Sequence, residues 1–467
     1  MSGRSPQTRR APGPPGRLVF GSLADLQRDP VTLLTGARAR YGDVVRFRYL
    51  GPRSWHFFAH PALVEEILVS RHREFVKGVF ARVIDLIIPN GLATAEGEEW
   101  ARQRRLLQPG FGVAKLDRLT QAIVDLTGDL LDDWSHAERD GVPLDLRAAT
   151  RRLACLMAGH LLFGSDLRGR EAIVDRYVWM ALAQIDARVL HPLSPMPFLP
   201  TPTKLAYWRA ARELDALIRE IVAERRRAPQ DRADLLSALL DARDADTGAP
   251  LSDQEVCDQV RTLLISGYET TGVTLAWLFY HLAMSPDVAT RVRAEVHEVL
   301  GGRAPDTTTV RQLAYVRQVI HETLRMYPPT FWLGRQAVRA CELGGVSIPA
   351  GGLICISPYV THRHPEFWTA PDRFDPDRFG PEAVAGRPRG AYFPFGLGPR
   401  HCIGQHLALL EMTIVVAMVT GRWNLVLTGD PHPQPRVQGT LQPSTPIPVY
   451  LTRASSSNAT EGKAASA

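Results

Sequence analysis

The hydrophobic pattern changes character several times along the chain. In YGDVVRFRYLGPRSWHFF (residues 41–58) apolar and polar positions flank Gly51-Pro52 and predict two short strands around a turn. Helical spacing then takes over in PALVEEIL, in EGEEWARQRRLL and through long stretches from the 120s to the 220s. HPLSPMPFLPTPT (191–203) interrupts it, and its five prolines demand a loop between helices. The clearest element begins at Ser252, where Ser252 and Glu255 form a Ser-x-x-Glu capping box ahead of an apolar run that Ser285-Pro286 ends. At ~1.5 Å per residue this helix is about 50 Å long, enough to cross a whole domain. Its middle, Ser266-Gly267-Tyr268-Glu269-Thr270-Thr271, puts glycine, an acid and hydroxyls where aliphatic residues are expected, which predicts a local opening of the helix. A further helix is expected from Val310 to Met326, before Pro328-Pro329. Gly, Pro, β-branched and aromatic residues follow and suit small sheets and loops; a last helix, Ile403 to Thr420, leads to strands at WNLVL and IPVYL. The expected fold is mainly α with small β-sheets.

Composition narrows the function. The 467 residues carry a formal charge of +6, with 45% hydrophobic and 22% charged residues, the balance of a soluble globular protein with a large core. Five scattered cysteines with no CxxC pair argue against a disulfide framework or a zinc knuckle and fit a reducing, cytoplasmic setting. No apolar run approaches the ~18–20 residues that span a bilayer, and the N-terminal MSGRSPQTRRAPGPPGR lacks the apolar stretch of a secretory signal, so no transmembrane anchor is expected. The basic residues, mostly Arg interleaved with Asp and Glu, form no nucleic-acid motif; an acidic protein partner suits them better.

The most informative stretch is Phe395-Gly396-Leu397-Gly398-Pro399-Arg400-His401-Cys402-Ile403-Gly404. A lone Cys at the mouth of a helix, near a cation, is set up as a thiolate. Glycines let the backbone approach something flat and bulky. Such a thiolate can ligate haem iron from a loop, with Arg400 available for a propionate.

With this ten-residue pattern the chain resembles the cytochrome P450 family, and other segments agree. Glu322-x-x-Arg325 in HETLRMYPP matches the family's ExxR motif, and Pro376-Asp377-Arg378-Phe379 is similar to its PERF segment. The resemblance implies that Glu322, Arg325 and Arg378 form a buried network holding the Cys loop. Ser266 to Thr271 resembles the oxygen-activation motif, with Gly267 facing the haem, Glu269 and Thr270 as the catalytic proton relay, and Ser266 departing from the usual small apolar residue. Trp100-x-x-x-Arg104 matches a helix motif that flanks one propionate, and Arg335 is placed like another propionate partner. Phe395, Gly398, Arg400, Cys402 and Gly404 complete the implied cofactor site, with Cys402 the iron ligand.

The resemblance covers residues 18–452 as one haem domain, leaving 1–17 and 453–467 as expected disordered tails. It implies haem b with a Cys402 thiolate, O2 as co-substrate, and insertion of one oxygen atom into a hydrophobic terpene, fatty acid or polyketide-like molecule. Nothing in the chain resembles a flavin or iron–sulfur domain, so a separate ferredoxin and ferredoxin reductase are the expected electron donors to a monomeric enzyme. Arg102, Arg105 and His401 are a candidate docking patch. Family placement offers Phe80, Ile84, Ile87, Ile88, Leu182, Ile185, Leu263, Phe331, Trp332 and Leu333 as substrate-facing residues, almost all apolar. Oxidative coupling, desaturation or peroxide-driven oxidation remain alternatives, and a non-enzymatic haem sensor a further one, disfavoured by the intact Glu269 and Thr270.

Overall fold

The computed structural model describes residues 10–17, 20–49, 53–85, 87–190, 201–227, 234–244, 248–429 and 432–454, except the side chains of 113–116 and 186–190. The Gly51-Pro52 turn, most of the proline-rich 191–203 stretch, residues 1–9 and 455–467 lie outside these.

Ten helices carry the argument: α1 (Pro30–Tyr41), α2 (Gly97–Leu107), α3 (Val113–Asp140), α4 (Leu146–Met157), α5 (Glu171–Leu190), α6 (Pro202–Arg227), α7 (Asp253–Met284), α8 (Pro286–Leu300), α9 (Ala314–Met326) and α10 (Gln405–Arg422). The strands used below are β1 (Val44–Arg48), β2 (Ser54–Phe58), β3 (Phe75–Val76), β4 (Leu333–Ala337), β5 (Leu353–Ile356), β6 (Trp423–Leu427), β7 (Pro435–Gln438), β8 (Thr440–Pro443) and β9 (Pro448–Arg453).

The axis of the molecule is α7, whose capping box forms as the sequence predicts: Glu255 N–H donates to Ser252 Oγ at 3.3 Å and Ser252 N–H to Glu255 Oε2 at 2.8 Å. Most of its side chains are buried, so it is a core helix rather than a surface one. It packs closely on α4, where Thr150 Oγ1 donates to the Gly272 carbonyl at 2.9 Å. A Cβ at Gly272 would stand 3.0 Å from the Arg151 Cα, so glycine permits this approach. At the other end Trp277 stacks on Tyr327 at 3.9 Å and donates to the Leu441 carbonyl, pinning β8 beside α7.

The largest sheet runs β1-β2-β5-β4-β3, with β2 and β5 parallel and the other pairs antiparallel. Register places Arg335 opposite Ile354, and two separate apolar clusters cover the sheet's faces. The Leu144–Asp145 strand, β9 and β6 form a second sheet, and β7 and β8 a hairpin.

Several expectations change. The helix expected from Val310 is two, because Leu313 (φ −72°, ψ 69°) breaks the run between Thr307–Gln312 and α9. α7 stays helical through Ser266–Thr271, and Thr270 Oγ1 donates to the Ser266 carbonyl at 2.7 Å within the helix. α10 starts at Gln405, leaving Cys402 and Ile403 in the preceding loop. The folded region begins before Leu18: Ala11 is buried and Arg46 N–H donates to the Pro12 carbonyl at 2.8 Å. At the far end Arg453 still belongs to β9, pairing with Trp423. No helix among the described residues is long and apolar enough to cross a membrane.

Candidate active site

The Cys402 loop is a tightly bonded turn. Cys402 N–H donates to the Phe395 carbonyl at 2.8 Å, Gly396 N–H to Phe393 at 3.0 Å, and His401 N–H to Gly398 at 3.1 Å. Gly398 has φ +72°, and a Cβ there would lie 2.0 Å from the Leu68 carbonyl oxygen, so only glycine closes this turn. Below it, Arg325 makes a fork to Glu322 at 2.7 and 2.8 Å, with both side chains fully buried. Asp375 N–H donates to Glu322 Oε1 at 2.9 Å and the Arg378 Nε stands 3.5 Å from that oxygen. The three residues read from the sequence as one network therefore converge. Sequence reasoning missed the link to the loop: Arg325 Nη1 donates to the His362 carbonyl at 3.0 Å, and the His362 ring accepts from Phe393 N–H at 2.9 Å.

Above this loop lies a cavity of about 300 Å³. Cys402, Phe395, Arg400 and Gly404 line one side; Gly267, Thr270, Thr271 and Thr274 of α7 line another. The Cys402 thiol opens into this space. Burial pushes its pKa up, and the Gly404 N–H and the Arg104 charge only partly offset that. The sequence expectation of a thiol made acidic by a helix mouth and a nearby cation is therefore corrected: burial outweighs both the Gly404 N–H and Arg104.

One rim of the cavity is cationic. Arg400 donates to the Ala95 carbonyl at 2.7 Å and to Glu96 Oε2 at 2.8 Å, and its guanidinium sits 4.5 Å over the Trp100 ring. Arg335, 9% exposed, lines the same rim and is pushed down to about 10 by burial first and then by Arg400. Lys77, which no motif signalled, joins them: its ammonium donates to the Ala93 carbonyl, and burial with the Arg400 and Arg335 charges pushes it down to about 7. Three cationic side chains thus gather around one carboxylate, Glu96. This rim is short of negative charge, which suits a flat ligand carrying two carboxylates and so fits haem.

Arg104 is placed differently from the expectation. It donates to the His401 carbonyl at 3.0 Å and to Gln108 at 3.2 Å, bracing the Cys loop from behind rather than lining the cavity. Trp100 acts on the cavity through Arg400, and Gly398 through the turn.

Thr270 faces the cavity, and Glu269 does not. The Glu269 Oε1 accepts from Thr440 Oγ1 at 3.0 Å and Gln442 Nε2 at 2.8 Å, with Arg151 3.7 Å from its other oxygen. Burial, foremost, pushes its carboxyl pKa up despite these partners. Arg151 also pairs with Asp175, an exposed acid, at 2.9 Å, so a polar chain runs from the surface to Glu269.

Of the ten substrate-facing candidates, Leu263 and Leu333 line the cavity. Ile87, Ile88 and Leu182 are buried in the main core, and Ile84 and Ile185 pack against it. Phe331 and Trp332 belong to a core under the sheet, and Phe80 covers Gly334, where a Cβ would meet its ring at 2.2 Å. The cavity instead takes Phe111, Ala158 and Leu162, core-spaced residues with no motif. The docking patch also changes: Arg102 is engaged by Glu99 at 3.0 Å, by Asp244 at 3.6 Å and by Glu255, so its charge is neutralised within the protein.

The whole arrangement has known counterparts. Residues 11–451 match the cytochrome P450 family. A cyclooctat-9-en-7-ol 5-monooxygenase of Streptomyces melanosporofaciens is 38% identical over 87% of each chain. A pentalenene oxygenase of Streptomyces avermitilis is 32% identical over 93% of this chain and 95% of its own. Among solved structures, the cytochrome P450DA haem domain superposes with TM-score 0.87 and 26% identity, covering 96% of this chain and 98% of its own. The retinoic acid-bound cyanobacterial CYP120A1, at 24% identity and TM-score 0.86 over 96% of this chain and 100% of its own, shares the fold. The match along nearly its whole length establishes that the chain belongs to the cytochrome P450 family of monooxygenases.

Proposed function

We propose that this protein holds haem b through a Cys402 thiolate and oxygenates a terpene-like cyclic molecule, drawing electrons from a separate ferredoxin and its reductase. The carrying observation is the single cavity that has the Cys402 sulfur on one wall, the Thr270 face of α7 on another and the Lys77–Arg335–Arg400 rim at its edge. Haem bound there supplies the activation of O2, the chemistry a thiolate ligand favours.

The residues of the chain do the rest. Lys77, Arg335 and Arg400 bind the two propionates, and the Glu322–Arg325–His362 relay keeps the Cys loop rigid. Thr270 gives its hydroxyl hydrogen to the Ser266 carbonyl, which leaves its oxygen to accept from a water in the cavity and so to position a proton donor. Glu269, one residue behind it, receives protons along the Arg151–Asp175 side.

Leu263, Leu333 and Leu162 present apolar surface to the substrate, and the cavity's cations all lie at the propionate rim. A hydrocarbon-rich ring system suits these walls better than an anionic fatty acid, and the relatives named for cyclooctat-9-en-7-ol and pentalenene support that class. The net charge of +6 suits an acidic ferredoxin. Optical titration of the ferric holoenzyme tests the reading. Cyclic terpenes and their alcohols should give a saturable Soret shift as water leaves the iron; a saturable shift from fatty acids or macrolides alone would overturn the substrate class.

A further inference from the structure

Between Val256 and Leu282 every residue of α7 is buried or half-buried except Ser266, which is exposed. An exposed residue in the middle of a core helix has to face a void, and Ser266 lines the cavity beside Gly267 and Thr270. Its hydroxyl also behaves unlike others on the same helix. Thr262, Thr270 and Thr274 each donate to the carbonyl four residues earlier, at 2.7, 2.7 and 2.8 Å. The Ser266 hydroxyl has no hydrogen-bond partner among the described residues.

A second such hydroxyl stands on another wall. Thr330 is exposed between the buried Pro329 and Phe331, and it lines the same cavity. It too has no hydrogen-bond partner among the described residues. Leu263, Leu324, Pro329 and Leu333 supply apolar lining to the same space. Haem satisfies neither hydroxyl, because its carboxylates belong at the Lys77–Arg335–Arg400 rim and its ring face is apolar. A hydrocarbon filling the space would push water off both hydroxyls and leave them unpaired, which costs binding. A hydroxyl on the substrate both donates and accepts, and so can pair with either.

We infer that Ser266 and Thr330 are specificity-determining residues that bind a hydroxyl already present on the substrate. The molecule oxygenated here is then a cyclic terpene alcohol and not the parent hydrocarbon. This rests on the terpene reading above and narrows it. It also places the reaction in a sequence: the step that supplies the substrate is an oxygenation of the hydrocarbon or a cyclisation ended by water.

Optical titration of the ferric holoenzyme with matched pairs tests this: menthol and menthane, cedrol and cedrane, phyllocladan-16-ol and phyllocladane. The readout is the dissociation constant from the Soret shift to shorter wavelength as water leaves the iron. In at least one pair the alcohol should bind about tenfold tighter, the worth of one or two hydrogen bonds. No pair with the alcohol as the tighter ligand would overturn the inference and leave the terpene reading intact. Ser266→Ala, which restores the small apolar residue usual at this place, and Thr330→Val, which keeps the side-chain shape, should each cut the preference several-fold without weakening hydrocarbon binding. Thr330→Ser should retain it. A thiolate-type CO spectrum in each variant separates these effects from misfolding. An unchanged preference in either deletion variant would overturn the role of that hydroxyl. A shift to longer wavelength with the alcohols alone would put the alcohol on the iron itself and overturn both roles. No shift from any of the six compounds would overturn the terpene reading and this inference with it.

Discussion

The two sides of the cavity are built by different physics. The Cys402 side is held by hydrogen bonds of fixed direction: a zero-exposure Glu322–Arg325 fork, the His362 link to Phe393, and a turn at Gly398 that tolerates no Cβ. The opposite side is held by shape, with Leu263, Leu162 and Ala158 presenting apolar surface and only hydroxyls for polarity. Directional bonds fix a ligand geometry and leave little room for substitution. Apolar packing tolerates volume-conserving change. A single fold can thus keep its iron site and still vary what it oxidises.

That contrast can be broken at the rigid side most easily. Glu322→Ala should be the most damaging change, since it strands the Arg325 charge in a fully buried site at a cost of about 3–5 kcal/mol. Chemical denaturation and haem retention would check it, and near-native stability would remove the network from its supporting role. Gly398→Ala comes next: strain at φ +72° adds about 1–3 kcal/mol to the clash with Leu68, so haem should dissociate readily from a protein that still folds.

On the opposite wall the effects should move from stability to chemistry. Thr270→Ala removes a helix-satisfied hydroxyl, so unfolding free energy should change by only about 1 kcal/mol. Peroxide release per electron should rise several-fold, and wild-type coupling would take Thr270 out of the reaction.

The smallest effect belongs to the rim. With its pKa lowered to about 7 against an ordinary Lys value of 10.5, Lys77 is mostly neutral at pH 8 in the haem-free protein. Two propionates beside it would restore its charge, so haem binding at pH 8 should take up as much as about one proton. The uptake should vanish below pH 6, where Lys77 is already charged, and in Lys77→Gln. Calorimetry in two buffers of different ionisation enthalpy measures it. The same sign applies to stability: the haem-free fold should gain as pH rises from about 7 toward 10.5, where the unfolded chain alone holds the proton.

Legibility in the sequence follows the same divide. Glu322, Arg325, Arg378, Arg400 and Cys402 are recognisable because directional bonds demand particular residue types at particular spacings. Thr270 is visible for the same reason, as a hydroxyl in an otherwise apolar helix. The substrate wall was hardly legible, and Phe331, Ile87 and Leu182 turn out to be plain core. Apolar spacing says that a residue is buried and is silent about whether it faces a void or a neighbour. Lys77 carried no pattern, being one cation in a loop whose meaning depends on Arg335 and Arg400 far along the chain. The break at Leu313 hid because the apolar pattern continues through it while the backbone does not.

The central claim is that the Cys402 sulfur, opening into this cavity, is the iron ligand. The most direct measurement is the CO-difference spectrum of the reduced holoenzyme, wild type beside Cys402→Ser. The wild type should show the strongly red-shifted Soret band of a thiolate-ligated haem, and the variant should lose it even where it retains haem. A full thiolate band in Cys402→Ser would place the ligand elsewhere and contradict the account.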